Sequence, residues 1–340
     1  MVYAAALLTA IIVGYSGGST VAATPPEVLK LDGDVARVHD PVAIREGDTY
    51  YVFSTGGRAG QGVIPIRTSK DLRTWTSVGH VLESLPAWAI REIPRARNAW
   101  APDISFFNGK YHLYYSVSSF GSRNSAIGLT TTTTLDPTHP NYKWVDEGMV
   151  VRSHEEKDDW NAIDPNLVIE DENTAWLAWG SFWGGIKMHR IDPTTGKLST
   201  GHSTMYSLSS RPRDEPTNGA VEAPFIVRRG GYWYLFVSFD RCCRGADSTY
   251  HIVVGRSRVV TGPYVDKTGK KMTDGGGSLV IEATSSAWRG PGHQAVLQDG
   301  SRDYVFFHAY YGAGRGRGSA LHISTMVWED GWPRVGTLPS

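Results

Sequence analysis

Three acidic residues stand in settings that could do chemistry: Asp40 in His-Asp-Pro, Asp164 in Ile-Asp-Pro and Glu222 in Val-Glu-Ala-Pro. Two carboxylates are the minimum for cutting a glycosidic bond. One protonates the leaving oxygen, and the other activates water or attacks the sugar. A third nearby would raise the acid's pKa by repulsion and keep it protonated near neutral pH. Either Asp-Pro pair alone reads as ordinary turn chemistry at the start of a strand. Glu222 has no such turn rationale. Asp103, which follows Pro102, is offset from the others and reads as structural.

The three acids are far apart in sequence, but a repeat of about 60 residues would bring equivalent positions together in space. Five segments share one pattern: a polar or acidic residue, usually Pro, an apolar strand, a turn and an aromatic-rich strand. They are HDPVAIREGDTYYVFST from His39, WAPDISFFNGKYHLYYS from Trp100, IDPNLVIEDENTAWLAWGS from Ile163, VEAPFIVRRGGYWYLFVS from Val221 and GHQAVLQDGSRDYVFFHAY from Gly292. Pro41, Pro102, Pro165 and Pro224 align, with Ala295 in that place in the fifth, at steps of 61, 63, 59 and 71 residues. Each unit holds several strand-like runs between Gly, Pro, Asp or Asn turns, and no helical periodicity lasts three turns. The pattern predicts an all-β fold, a five-bladed β-propeller, rather than an irregular sandwich. In a propeller the first strand of each blade lines the central channel and starts near one mouth. Asp40, Asp164, Glu222 and His293-Gln294 should therefore converge there.

The remaining composition is consistent with a sugar-active protein. The 340 residues balance 34 basic against 34 acidic side chains, so nothing suggests a polyanionic partner such as nucleic acid. Twelve Trp and 16 Tyr suit stacking on sugar rings, although most must be core. Residues 1–23 read as a signal peptide: an apolar run from Ala4 to Val13, too short to span a bilayer, then small residues up to Ala23. The expectation is a secreted, extracellular protein, free of the membrane after cleavage and monomeric, with 24–340 forming one catalytic domain. Only two cysteines occur, the adjacent Cys242 and Cys243, which could be a small strained ring or two reduced thiols.

The chain resembles the five-bladed propeller glycosidases of glycoside hydrolase family 43, and within them the endo-α-1,5-L-arabinanases. The resemblance runs from about His39 to Trp332 and is carried by HDP, NAWAPD, SSFGSRNSAIGL, NAIDPN, GSFWGG, VEAPF, SFDRCCRG, STYHIVVGRS, GPGH and DGWP in that order. It implies inverting hydrolysis of plant cell-wall arabinan or arabino-oligosaccharides, with Asp40 as general base, Glu222 as general acid and Asp164 raising the acid's pKa and orienting it. It also implies that His293 sits by a bound ion, usually calcium, which would be an unusual site for an oxygen-loving cation. Trp100, Phe120 and Trp183 match cleft aromatics. Asn161, Ser181 and Gln294 lie close enough in sequence to hydrogen-bond the sugar. The adjacent cysteines also match the family, near the cleft.

Related propellers with xylosidase activity often carry a long C-terminal sandwich, and no such segment follows the fifth repeat here. The rivals to endo action are an exo-acting α-L-arabinofuranosidase on the same scaffold, less readily a β-xylosidase, and a non-catalytic sugar-binding propeller, which would lack at least one acid. A WD- or kelch-type interaction propeller is disfavoured by repeat length and missing signatures.

Overall fold

The structure is a computed structural model describing Met1 and residues 25–58, 62–314 and 318–338; apart from Met1, the leader expected at residues 1–23 lies outside them. Five sheets follow one another along the chain, each an antiparallel meander of four principal strands. The inner strands of blades I to V are Val42–Glu46, Trp100–Phe107, Asn166–Asp171, Val221–Arg229 and Trp288–Asp299. The second strands are Thr49–Phe53, Lys110–Val117, Thr174–Trp179, Tyr232–Phe239 and Arg302–Tyr311. Among the described residues the one α-helix is Ala87–Glu92, between the first two blades.

The aromatic-rich second strands are apolar on both faces because each blade is covered on both faces. Successive side chains point to opposite sides of a strand. In blade IV, Leu235 and Val237 pack towards Trp176 and Met188 of blade III, while Tyr234 and Phe236 pack towards Val305 and Phe307 of blade V. In blade V, Tyr304 and Phe306 turn the other way, onto Val52 and Trp75 of blade I. Clusters of this kind fill all five gaps between neighbouring blades, and the gaps hold the core. Full burial of one such side chain contributes roughly 1.5–3 kcal/mol.

The ring closes through the N-terminal segment. Leu29 N–H donates to Ile323 O at 2.7 Å, Arg37 N–H to Ser319 O at 2.8 Å and, in return, Leu321 N–H to Val35 O at 2.9 Å. The two ends of residues 27–37 thus add to the outer part of blade V, while Asp32 and Gly33 between them pair in parallel with Thr74 and Trp75 of blade I.

One backbone device recurs at the channel mouth. Asp40, Ala101, Asp164, Ala223 and His293 all have left-handed φ, between 44 and 58°. In blades II, IV and V this residue sits in a β-bulge, where pairing shifts between Trp100 and Asp103, Glu222 and Phe225, and Gly292 and Ala295. A left-handed non-glycine residue is uncommon, and here each one is held by the preceding blade. Its backbone N–H donates to Thr55 Oγ1 (Ala101, 2.6 Å), Ser116 Oγ (Asp164, 2.9 Å), Asp164 Oδ2 (Ala223, 3.1 Å), Ser238 Oγ (His293, 2.9 Å) or His308 Nδ1 (Asp40, 3.1 Å).

This device corrects the fifth repeat's alignment. Gln294, not Ala295, takes the Pro position, and His293 is the equivalent of Asp40 and Asp164. Glu222 stands one residue earlier, level with His39, Trp100, Ile163 and Gly292.

Candidate active site

The left-handed turns at the channel mouth bring the side chains of Asp40, Asp164, Glu222 and His293 into one cleft of about 600 Å3. All four expected residues meet there, and the three carboxylates are each at least nine-tenths buried. Their partners differ, and so do their protonation tendencies.

Asp40 is surrounded by donors. Its Oδ2 accepts from Thr55 Oγ1 at 2.5 Å. Its Oδ1 lies 2.8 Å from His39 Nδ1 and 3.0 Å from His293 Nδ1. Burial alone would push Asp40 up, but His293 and His39 outweigh it and hold the carboxyl well below its ordinary range. Asp40 is therefore an anion.

Glu222 is balanced the other way. Ser181 Oγ donates to Oε1 at 2.6 Å and Tyr250 OH to Oε2 at 2.8 Å. Both bonds favour the anion, yet burial, with the charge of Asp40 added, raises Glu222 above its ordinary value. Asp164 is pushed up to about 8, first by burial and then by Glu222 and Asp40, against the pull of His293 and of the Ala223 N–H. Burial is thus the largest cause at both raised acids, where the sequence reading invoked repulsion from a third carboxylate. His293 goes up to about 9: burial opposes its charge, and Asp40 and Asp164 overcome that opposition.

The remaining expected residues separate in space. Trp100, Phe120, Asn161, Ser181 and Trp183 all line the cleft. Phe120 is 83% exposed at its edge, and the Arg123 guanidinium lies 5.1 Å over the Trp183 ring. Asn161 Oδ1 is already engaged by Ser125 Oγ at 2.6 Å. Ser181 spends its hydroxyl proton on Glu222. Gln294 does not line the cleft. It is buried, its amide NH2 donating to Ala223 O at 2.7 Å and its Oε1 accepting from Ser238 Oγ, so it fastens blade V to blade IV. Asp103 is structural as expected: its carboxylate accepts from Asn166 Nδ2 and from the Leu167 N–H.

Sequence reasoning missed Thr55, Tyr250, His308 and Tyr310. Thr55 and Tyr310 stand at the ends of aromatic runs quoted above for their periodicity. The missing signal was that a second strand ends at the mouth where its inner strand begins. The adjacent cysteines form a Cys242–Cys243 disulfide on the cleft wall.

His293 can be tested as an ion ligand. Its Nδ1 faces Asp40 Oδ1, the place for one ring proton, so the second proton of the charged ring falls on Nε2, which has no protein partner among the described residues. The surrounding carboxylates already draw positive charge onto this ring. A cation on Nε2 would take the place of the second proton, so the residues fit.

A five-bladed propeller whose channel mouth pairs a carboxylate held anionic with carboxyls raised by burial, beside cleft-lining aromatics, defines a glycoside hydrolase. The comparisons agree: residues 35–333 match Glycosyl hydrolases family 43, and the chain belongs to that family. It is 44% identical over 305 residues to the extracellular exo-α-(1→5)-L-arabinofuranosidase of Cellvibrio japonicus, covering 88% of this chain and 86% of that protein. It is 41% identical over 312 residues to extracellular endo-α-(1→5)-L-arabinanase 1 of Bacillus subtilis, covering 92% and 91%. Among solved structures, α-L-arabinanase of Cellvibrio cellulosa in complex with arabinohexaose superposes with a TM-score of 0.82 at 42% identity, covering 89% of this chain and 96% of that one.

Proposed function

We propose that this hydrolase cuts α-1,5-linked L-arabinan internally and with inversion, Asp40 acting as general base and Glu222 as general acid. The observation that carries the division of labour is the opposite fate of two carboxyls in one cleft. Asp40 is held anionic by histidines; Glu222 is driven towards its neutral form by burial. An anionic carboxylate can take a proton from water as the water attacks the anomeric carbon. A neutral one can give a proton to the departing sugar oxygen. Asp164 accepts the Ala223 N–H beside Glu222 and so fixes the backbone that carries the acid. Trp100, Phe120 and Trp183 offer faces for furanose rings.

Arabinan as substrate is supported by the names of the relatives. One is named as exo-acting and another as endo-acting, so the direction of attack is for experiment to decide. Linear debranched arabinan and an aryl arabinofuranoside are compared as substrates. A ladder of short oligosaccharides from the polymer supports endo action; monomer alone overturns it. Glu222→Gln should abolish cleavage of unactivated substrate with the fold intact, and near-normal activity would remove Glu222 from its role.

His293 would hold a cation, calcium being the first candidate. Metal analysis of the purified protein and of His293→Gln tests this: bound metal in the parent and none in the variant is the expected pair. Export to the cell exterior, led by residues 1–23, fits the extracellular names of two relatives. N-terminal sequencing of secreted protein should begin near residue 24.

A further inference from the structure

Tyr310 is the penultimate residue of blade V's second strand, and its hydroxyl meets three hydrogen-bonding groups of fixed or deducible character. The Cys243 backbone N–H donates to it at 3.0 Å. His308 Nε2 lies 3.1 Å away and His39 Nε2 only 2.7 Å away. A phenol has one proton to give and two lone pairs to offer. The Cys243 amide can only donate, which uses one lone pair. His308 Nδ1 accepts the Asp40 N–H, so it bears no proton. Burial keeps the His308 ring neutral, and its single proton is therefore on Nε2, directed at Tyr310. That uses the second lone pair. The phenolic proton then goes to His39 Nε2; the alternative acceptor, Cys243 Sγ, is 3.8 Å away.

His39 Nε2 is thus an acceptor, and the neutral ring carries its proton on Nδ1. That nitrogen is buried and lies 2.8 Å from Asp40 Oδ1 in an ion-pair contact, without a hydrogen bond of regular geometry to any group, and a bare lone pair there would repel the carboxylate. The two deductions, from Tyr310 and from Asp40, agree.

We infer that Tyr310 is a positioning residue for the base: its hydroxyl, pinned by His308 and by the Cys243 amide, locks His39 in the neutral Nδ1–H tautomer that faces Asp40. The Cys242–Cys243 disulfide has a part in this, because it closes the turn in which Cys243, at φ 65°, aims its N–H at the phenol. The lock also sorts the two oxygens of Asp40. His39 and His293 occupy Oδ1, Thr55 takes one site on Oδ2, and the remaining lone pair on Oδ2 is the one left for water. Turned into its other tautomer, His39 would aim a lone pair at Oδ1 and push the carboxylate out of line.

The inference rests on Asp40 being the base, and the test separates the two. Ring nitrogens of histidine are labelled with 15N, and the His39 signals are identified by their loss in His39→Gln. In the parent protein, His39 should show a protonated Nδ1 and a bare Nε2; the opposite pattern overturns the lock without any further variant. In Tyr310→Phe, the His39 signals should shift to the other tautomer or to a mixture. kcat on linear arabino-oligosaccharides should fall by about 10–100-fold, with KM little changed. A fall in kcat with His39 still in the Nδ1–H form would make Tyr310 merely structural and overturn the inference. Full activity in Asp40→Asn would instead remove the base reading, and the tautomer result would stand independently.

Discussion

Tyr250→Phe tests how Glu222 is tuned. The Tyr250 hydroxyl donates to Glu222 Oε2 at 2.8 Å from a buried ring, and Ser181 serves the other oxygen at 2.6 Å. A hydrogen bond to a charged group is worth about 1.5–3 kcal/mol. At about 1.4 kcal/mol per pKa unit, losing one such bond should raise the Glu222 pKa by about 1–2 units. The sign follows from the acid's role. Glu222 works only when protonated, so the alkaline limb of kcat/KM lies where it loses its proton, and raising its pKa moves that limb to higher pH. The plateau should fall as well, because the same bond stabilises the anion that forms as Glu222 gives its proton away. The assay is kcat/KM against pH on a linear arabino-oligosaccharide for parent, Tyr250→Phe and Ser181→Ala. An alkaline limb that stays in place, or moves down, would show that these hydroxyls do not favour the Glu222 anion and would refute the reasoning.

Three further outcomes follow from the same geometry. Asp164→Asn should stabilise the protein while abolishing or crippling turnover. Asp164 titrates at about 8 in the fold against 3.8 ordinarily, so stability is lost as pH rises between those values. The gain on substitution at pH 7 is at most about 4 kcal/mol and vanishes towards pH 4, readable as a pH-dependent difference in Tm. Gly292→Ala places a methyl 2.1 Å from Tyr250 Cδ1, so it should cost about 1–3 kcal/mol in denaturant unfolding and lower kcat by displacing the residue that holds Glu222. Trp100→Ala should raise KM for oligosaccharides about 3–10-fold, with kcat less affected, if its cleft face stacks on sugar; an unchanged KM would assign the ring to loop packing.

Much of this was legible in the chain because the repeat is written in residue types. The Pro-led inner strands and aromatic second strands gave blade number and order, and equivalence within the repeat brought residues 40, 164 and 222 to one mouth. The one-residue offset of Glu222 and the true place of Gln294 were hidden. Both depend on a left-handed residue at the strand entry that can be Asp, Ala or His, a backbone property without a fixed letter. Gln294 looked like a sugar ligand because it follows His293. In a strand, adjacent side chains point opposite ways, and it points into the blade contact. His308 and Tyr310 were invisible for a related reason: they act on Asp40 from the other end of the chain, through a ring closure that no local pattern announces.

That closure has a consequence for biosynthesis. Asp40 is made early, but its N–H has no acceptor, and the segment before it lacks its blade V partners, until residues 308–325 exist. A chain still emerging, or cut short in its last blade, would possess Glu222 and Asp164 while lacking a finished seat for Asp40. A copy that stops within the last blade should therefore be inactive.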